Sequence, residues 1–314
     1  MDRVHTNAQH GVLTATTMNS RVSYRRQRVL VGHRGFAPEQ VSESVHGVAV
    51  GPDGAIHVVG DSRVVVLSPD DQRLRSWAAA RPGYSLAVAA DGSVYVGEEG
   101  QVELFDRAGK RHDVWRDAQR FGLVTAIGLF DEGVVVADVR DRCLRRCDRA
   151  GRVLNNIGKD NKMKGFLVPN RHLDFAIDRE KVLHVCNPGK HRVERYTVDG
   201  KLLGHFGRFT GSDPAGFSGC CNPTNIALTP NEHVVVTEKA GPRAKLYDAQ
   251  GKLLALIGEG DFDLSCKNMD VAVDGEGRVY VVDTVRLQLC VYTAVETGNT
   301  TKPTRPPASQ EVSP

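Results

Sequence analysis

Short apolar runs rich in β-branched residues alternate with polar turns along this chain, and the same alternation returns six times. The segments read GVAVGPDGAIHVVGD from Gly47, SLAVAADGSVYVGEE from Ser85, AIGLFDEGVVVAD from Ala126, DFAIDREKVLHVCNP from Asp174, NIALTPNEHVVVTEK from Asn225 and DVAVDGEGRVYVVDT from Asp270. Each joins two apolar strands through a polar turn that usually carries Asp or Gly, residues that accept the positive φ of a tight hairpin. A third strand follows in every unit: VVVLSP, VELFDR, LRRCDR, VERYTV, AKLYDA and LQLCVYT. Five units then add a turn and a fourth strand, as in DRAGRVLNNIG, TVDGKLLGHFG and DAQGKLLALIG. Successive units begin 38 to 51 residues apart, the spacing of propeller blades.

The sixth unit stops after Tyr292 and Thr293 without a fourth strand, but a matching strand lies at the other end of the chain. Arg28-Val29-Leu30-Val31-Gly32 has the apolar pattern of LLALIG and LLGHFG and stands ahead of the first unit. The pattern therefore predicts an all-β fold, a six-bladed β-propeller with four-stranded blades whose last blade is closed by an N-terminal strand. Such closure removes the open seam that an open solenoid, with independent ends, would leave. The expected organisation is a flexible segment over 1–26, a propeller over 27–295 with its closing strand at 27–33, and a disordered tail over 296–314, where Pro, Ser and Thr leave almost nothing to bury.

These segments resemble NHL repeats, with Asp-Gly turns and a final Gly in each unit, over nearly the whole span from Val29 to Thr293. GFSGCCNPTNIAL, with VVVTEKAGPRAKLYD and CKNMDVAVD downstream, is similar to a bacterial NHL subfamily with a paired-Cys loop. The resemblance implies the propeller fold. It leaves function open, since such propellers include protein-interaction modules, RNA binders and a few lyases.

Composition narrows this only slightly. Forty-one basic and 38 acidic side chains give a formal net charge of +3, so no global field selects nucleic acid as a partner. The first 25 residues lack the apolar core of a signal peptide and no later stretch approaches a membrane span. As written, the chain reads as a cytoplasmic monomer, with export open if the start is misassigned. Seven cysteines, an odd number, argue against a full disulfide framework.

Candidate chemistry concentrates on one face. In a propeller, the loops leading into first strands and those joining second to third strands emerge together. This face holds the long insertions KDNKMKGFLVPNRHL, RFTGSDPAGFSGCCNPT and EGDFDLSCKNM. Cys186, Cys220, Cys221 and Cys266 map to it in three adjacent blades. They could hold zinc, copper or an iron–sulfur cluster, form a redox disulfide, or simply pack as small hydrophobes. Cys143, Cys147 and Cys290 fall at strand positions expected to be structural. Around the channel, His46, His172, Asp174, His191, Asn225, Lys239, Arg243 and Asp270 form a candidate ligand-binding rim, with Lys239 and Arg243 suited to a carboxylate or phosphate. The plainer alternative is that Asp174 and Asp270 cap inner-strand amides. The leading expectation is a rigid binding scaffold for a protein partner or small ligand. A metal- or redox-active protein and a channel-mouth lyase or hydrolase are the alternatives. Mixed charge on the long-loop face argues against RNA.

Overall fold

A computed structural model describes residues 22–30, 44–117, 119–159, 163–239 and 241–296. Strand β1 (Val22–Leu30) precedes six groups: β2–β5 within 47–78, β6–β9 within 85–116, β10–β13 within 124–157, β14–β17 within 175–206, β18–β21 within 226–257, and β22–β24 within 271–296. The first five groups are antiparallel four-stranded sheets in chain order, and the sixth has the order β1-β24-β23-β22. The fold is an all-β six-bladed propeller.

Closure uses a longer strand than the apolar pattern suggested. β24 (Gln288–Glu296) continues well past Thr293 and offers partners from Leu289, opposite Leu30, to Glu296, opposite Val22. Residues 22–26, expected to be flexible, are therefore strand, because the extended edge of β24 supplies backbone partners for them. They were invisible to an apolar pattern since this outermost strand is mostly solvent-facing, with Leu30 alone fully buried. Positions 31–33 of the expected closing strand, residues 1–21 and the tail beyond 296 lie outside the described residues.

The hydrophobic core is six cores, one per seam between blades. In β3 (Ile56–Gly60) and β4 (Arg63–Leu67), Ile56, Val58, Val65 and Leu67 face blade six, while Val59, Val64 and Val66 face blade two. Period-2 alternation thus feeds two different seams, so middle strands read as continuous apolar runs. Each valine so buried stabilises the ring by about 1.5–3 kcal/mol.

Turn chemistry follows from Asp side chains. Asp106, Asp148 and Asp248 each accept hydrogen bonds from the amides two and four residues ahead, at 2.8–3.0 Å. These Asx turns fold the third strand onto the fourth. The residue in φ +77 at Gly151 sits where a Cβ would meet the Trp115 ring at 2.4 Å, so glycine there serves both the turn and the packing.

The long loops are pinned by a recurring column at the end of each second strand. Asp61 Oδ1 accepts from Ser44 N (2.9 Å), Glu98 Oε1 from Arg81 N (3.2 Å) and Asp138 Oδ2 from Gly122 N (3.1 Å). Asn187 Oδ1 accepts from Leu167 N (3.3 Å) and Asp283 Oδ2 from Asp263 N (3.2 Å). In blade five Glu238 instead pairs with Lys245 (2.8 Å) and Arg243 (2.9 Å), and Asn222 Oδ1 holds the loop by accepting from Lys239 N (2.9 Å).

Candidate functional site

The innermost strands enclose an axial channel lined by Ser85, Thr125, Asp174 and Asp270 among apolar neighbours. Each polar group here crosses to the next blade. Ser85 Oγ donates to Val124 O (3.1 Å), Thr125 Oγ1 to Leu173 O (2.7 Å) and Thr237 Oγ1 to Met269 O (2.9 Å). Asp174 Oδ2 accepts from Ile226 N (3.0 Å), and Asp270 Oδ2 accepts from Val48 N (2.7 Å) across the closing seam. Between blades one and two the tie is a stack of His46 on Tyr84, ring centroids 5.0 Å apart. First strands of three or four residues cannot hold a seam by apolar area alone, and these cross-blade bonds supply the rest.

Asp174, Asn225 and Asp270 form one buried group. Asn225 Nδ2 donates to Asp270 Oδ1 (3.0 Å). Burial pushes the Asp270 carboxyl up to about 6, against the pull of the Val48 and Val271 amides and Asn225. Burial and then the charge of Asp270 push Asp174 well above the usual carboxylate range. The pair thus holds a proton more readily than free carboxylates do, while its oxygens are engaged with strand amides.

Above the channel a cavity of about 230 Å³ opens on the long-loop face, lined by His46, Tyr84, Thr125, Arg171, His172 and Lys267 with Asn268 and Thr284 beside them. His172 is buried, and its Nε2 makes no hydrogen bond among the described residues. Burial first, then repulsion from His46, lowers the His172 pKa to about 4. Burial likewise lowers that of His46, with Asp61 acting the other way. Both imidazoles are therefore neutral at pH 7, and the positive charge of the mouth comes from Arg171 and Lys267.

Of the eight rim residues read from the sequence, His46 and His172 meet at this mouth, and Asp174, Asn225 and Asp270 lie together in the channel beneath it. The other three are elsewhere. His191 packs edge-on against Phe209, with centroids 5.0 Å apart. Arg243 is held between Glu238 (2.9 Å) and Glu259 (2.6 Å), which occupy the guanidinium that was to have received a carboxylate or phosphate. Lys239 lies beside Cys221 in the paired-Cys loop.

The four cysteines proposed as ligands are not brought together. Cys186 is buried in the seam between blades four and five with Val193, Phe217 and Ile226. Cys266 is buried in the next seam, where its thiol donates to Asp283 Oδ1 (3.0 Å). Cys220 is exposed and its neighbour Cys221 is buried. Among the described residues no three His, Cys, Asp or Glu side chains are grouped as a metal would require. Cys186 lies near the end of a strand of blade four and Cys266 lies in the loop entering blade six, and each is buried in a different seam. Burial raises Cys266 to about 11 and lifts Cys186 well above the usual thiol range, which favours the neutral thiol over the ligating thiolate.

Sequence reading missed Arg81, Arg140 and Arg142, which line a second cavity beside the mouth, about 620 Å³ in volume. Their signal was weak, since each stands in a loop of ordinary composition and only the ring brings them to one cleft.

No known family model matches the chain, and no curated protein does, so the NHL resemblance is carried by the repeat residues alone. Solved structures do match. A streptogramin B lyase aligns over 87% of this chain and 97% of its own at 10% identity, TM-score 0.57. A protein of unknown function from Bacteroides thetaiotaomicron aligns over 81% and 70% at 15% identity, TM-score 0.62. The WD40 propeller domain of Doa1 aligns over 87% and 97% at 14% identity, TM-score 0.59. Among the described residues no helix is long and apolar enough to cross a membrane. At such identities the likeness establishes the propeller fold alone.

Proposed function

We propose that this chain is an NHL-type propeller acting as a rigid binding scaffold, which holds a small ligand or a segment of a protein partner over the channel mouth on its long-loop face. The observation that carries this reading is the mouth itself. A buried imidazole with an unpaired nitrogen, an aromatic stack and two cations converge on one cavity, while the carboxylates beneath are engaged in holding blades together. Convergent polar groups over a closed, rigid floor suit recognition. Ligand-observed NMR with a fragment mixture tests it. Fragments that bind the wild type are expected to lose their signal in His172→Phe with Lys267→Ala, and to keep it in Arg149→Ala on the opposite face. Equal binding to all three proteins would sink the reading.

A second reading, a channel-mouth lyase or hydrolase, draws support from the fold shared with streptogramin B lyases and from the two histidines at the mouth. Against it, a His172 pKa near 4 makes a weak general base at neutral pH. Consumption of a streptogramin B by the purified protein, followed by mass spectrometry, separates the readings.

A further inference from the structure

We propose that the cleft between blades two, three and four on the long-loop face binds a small molecule joining a dianionic oxyanion, such as a phosphate monoester, to an apolar body. The proposal rests on the reading of the long-loop face as the binding face and names the ligand chemistry there. The cleft has about 620 Å³ of space, enough for a ligand of this kind. Four guanidinium groups line it, Arg81, Arg140, Arg142 and Arg171, against one carboxylate, Glu99. Its floor is apolar, made by Phe121, Leu123, Val139 and Val168.

The way these arginines are held differs from that of the ion-paired arginines. Arg145, Arg192, Arg243 and Arg278 each meet a carboxylate at 2.5–2.9 Å. Three of the cleft arginines are oriented instead by backbone carbonyls, which fix a guanidinium without neutralising it. Arg81 Nη1 donates to Glu99 O (2.6 Å), Arg142 Nη2 to Lys164 O (3.0 Å) and Arg140 Nη2 to Gln119 O (2.9 Å). Among the described residues Arg140 also meets a carboxylate, Asp141, at 3.9 Å, and Glu98 accepts from the backbone amide of Arg81 (3.2 Å). Arg142 and Arg171 also take positive φ (54° and 53°), a conformation that a bulky side chain adopts at a cost. Like charges gathered in one concave site repel each other until an anion joins them, and planar guanidinium forks match phosphate oxygens in pairs.

The cleft and the channel-mouth cavity share Leu123 and Arg171, so the two sites adjoin along that edge while Lys267 lines the mouth alone. The apolar floor sets the body of the ligand, and the excess of arginine over acid favours a dianion over a monoanion.

Isothermal titration calorimetry of the full chain at 50 and 200 mM NaCl decides the matter, with phenyl phosphate, inorganic phosphate, benzoate and benzyl alcohol as probes. Phenyl phosphate is expected to bind tightest, inorganic phosphate and benzoate more weakly and benzyl alcohol not at all, with the phenyl phosphate affinity falling as salt rises. The double variant Arg81→Ala with Arg171→Ala is expected to weaken phenyl phosphate at least tenfold. Lys267→Ala and Arg149→Ala should change it less than threefold, with unchanged circular dichroism and melting temperature in every variant. No heat with phenyl phosphate, benzyl alcohol binding as well as phenyl phosphate, or equal loss in Arg149→Ala would overturn the proposal. Loss in Lys267→Ala but not in the arginine double variant would overturn the cleft while leaving the channel-mouth reading standing. Indifference to every variant would remove both.

Discussion

Replacing Asp270 by Asn and by Ala should move stability in opposite directions, because this carboxylate is both a seam tie and an unwelcome charge. Its Oδ2 receives Val48 N at 2.7 Å across the closing seam and its Oδ1 receives Asn225 Nδ2 at 3.0 Å, all within a buried channel that also holds Asp174. The folded pKa of about 6 lies above the ordinary 3.8. Asp270 therefore contributes stability that is fully present below pH 3.8 and is lost as the pH rises through 6, worth on the order of 3 kcal/mol. Asn keeps an acceptor for Val48 N without the charge, and Asn225, whose Oδ1 makes no hydrogen bond among the described residues, can turn that oxygen toward the new amide. Asp270→Asn is expected to match or exceed wild-type stability at pH 8, by up to about 3 kcal/mol, with the gain shrinking as the pH falls from 6 toward 4. Asp270→Ala leaves Val48 N and Asn225 Nδ2 without their acceptor and should lose about 2–4 kcal/mol at pH 5, since each buried donor so stranded costs about 1–3 kcal/mol. Urea denaturation at pH 5 and pH 8, followed by tryptophan fluorescence, measures both. Asn as damaging as Ala at pH 8, or an Asn effect independent of pH, would refute the reasoning.

Deleting residues 1–30 strips the partner from β24 along a register of eight residue pairs, and should give aggregation by light scattering and a lower melting temperature, because β24 then presents an open edge. Lys245 and Glu238 are both fully buried and 2.8 Å apart. Lys245→Met alone should cost about 3–5 kcal/mol by leaving Glu238 with a weakened set of partners, while adding Glu238→Leu should recover part of that loss in a double-mutant cycle of denaturation midpoints. His172, with a pKa lowered to about 4, contributes stability present above pH 6.5 and lost as the pH falls through 4, and its ring signals in two-dimensional NMR should titrate only below pH 5.

How legible was all this in the order of residues? Six hairpins written in valine, aspartate and glycine declared the blades, since the period-2 pattern and the Asx turns are local chemistry. The missing fourth strand of the last blade pointed to the first residues of the chain, although its extent back to Val22 was hidden because an outermost strand needs few apolar residues. The site was less legible. Asp174 and Asp270 were recognised as channel residues, with amide capping as the plain alternative, and the structure shows those amide bonds. Arg243 and the four cysteines were assigned to the long-loop face by their position in the repeat alone. Which way each side chain points depends on partners far away in sequence, such as Glu259 for Arg243 and Asp283 for Cys266.

What the sequence alone determined is therefore the repeat: the number of blades, their strand order and the face that carries the long loops, all consequences of interactions within some fifty residues. The tertiary structure alone decided which polar groups meet. Closing the ring brings loops of blades two, three and four, dozens of residues apart, into one cleft, and it sets Cys186 and Cys266 in different seams. Side-chain direction about a common axis is a property of the closed circle, and no single blade contains it.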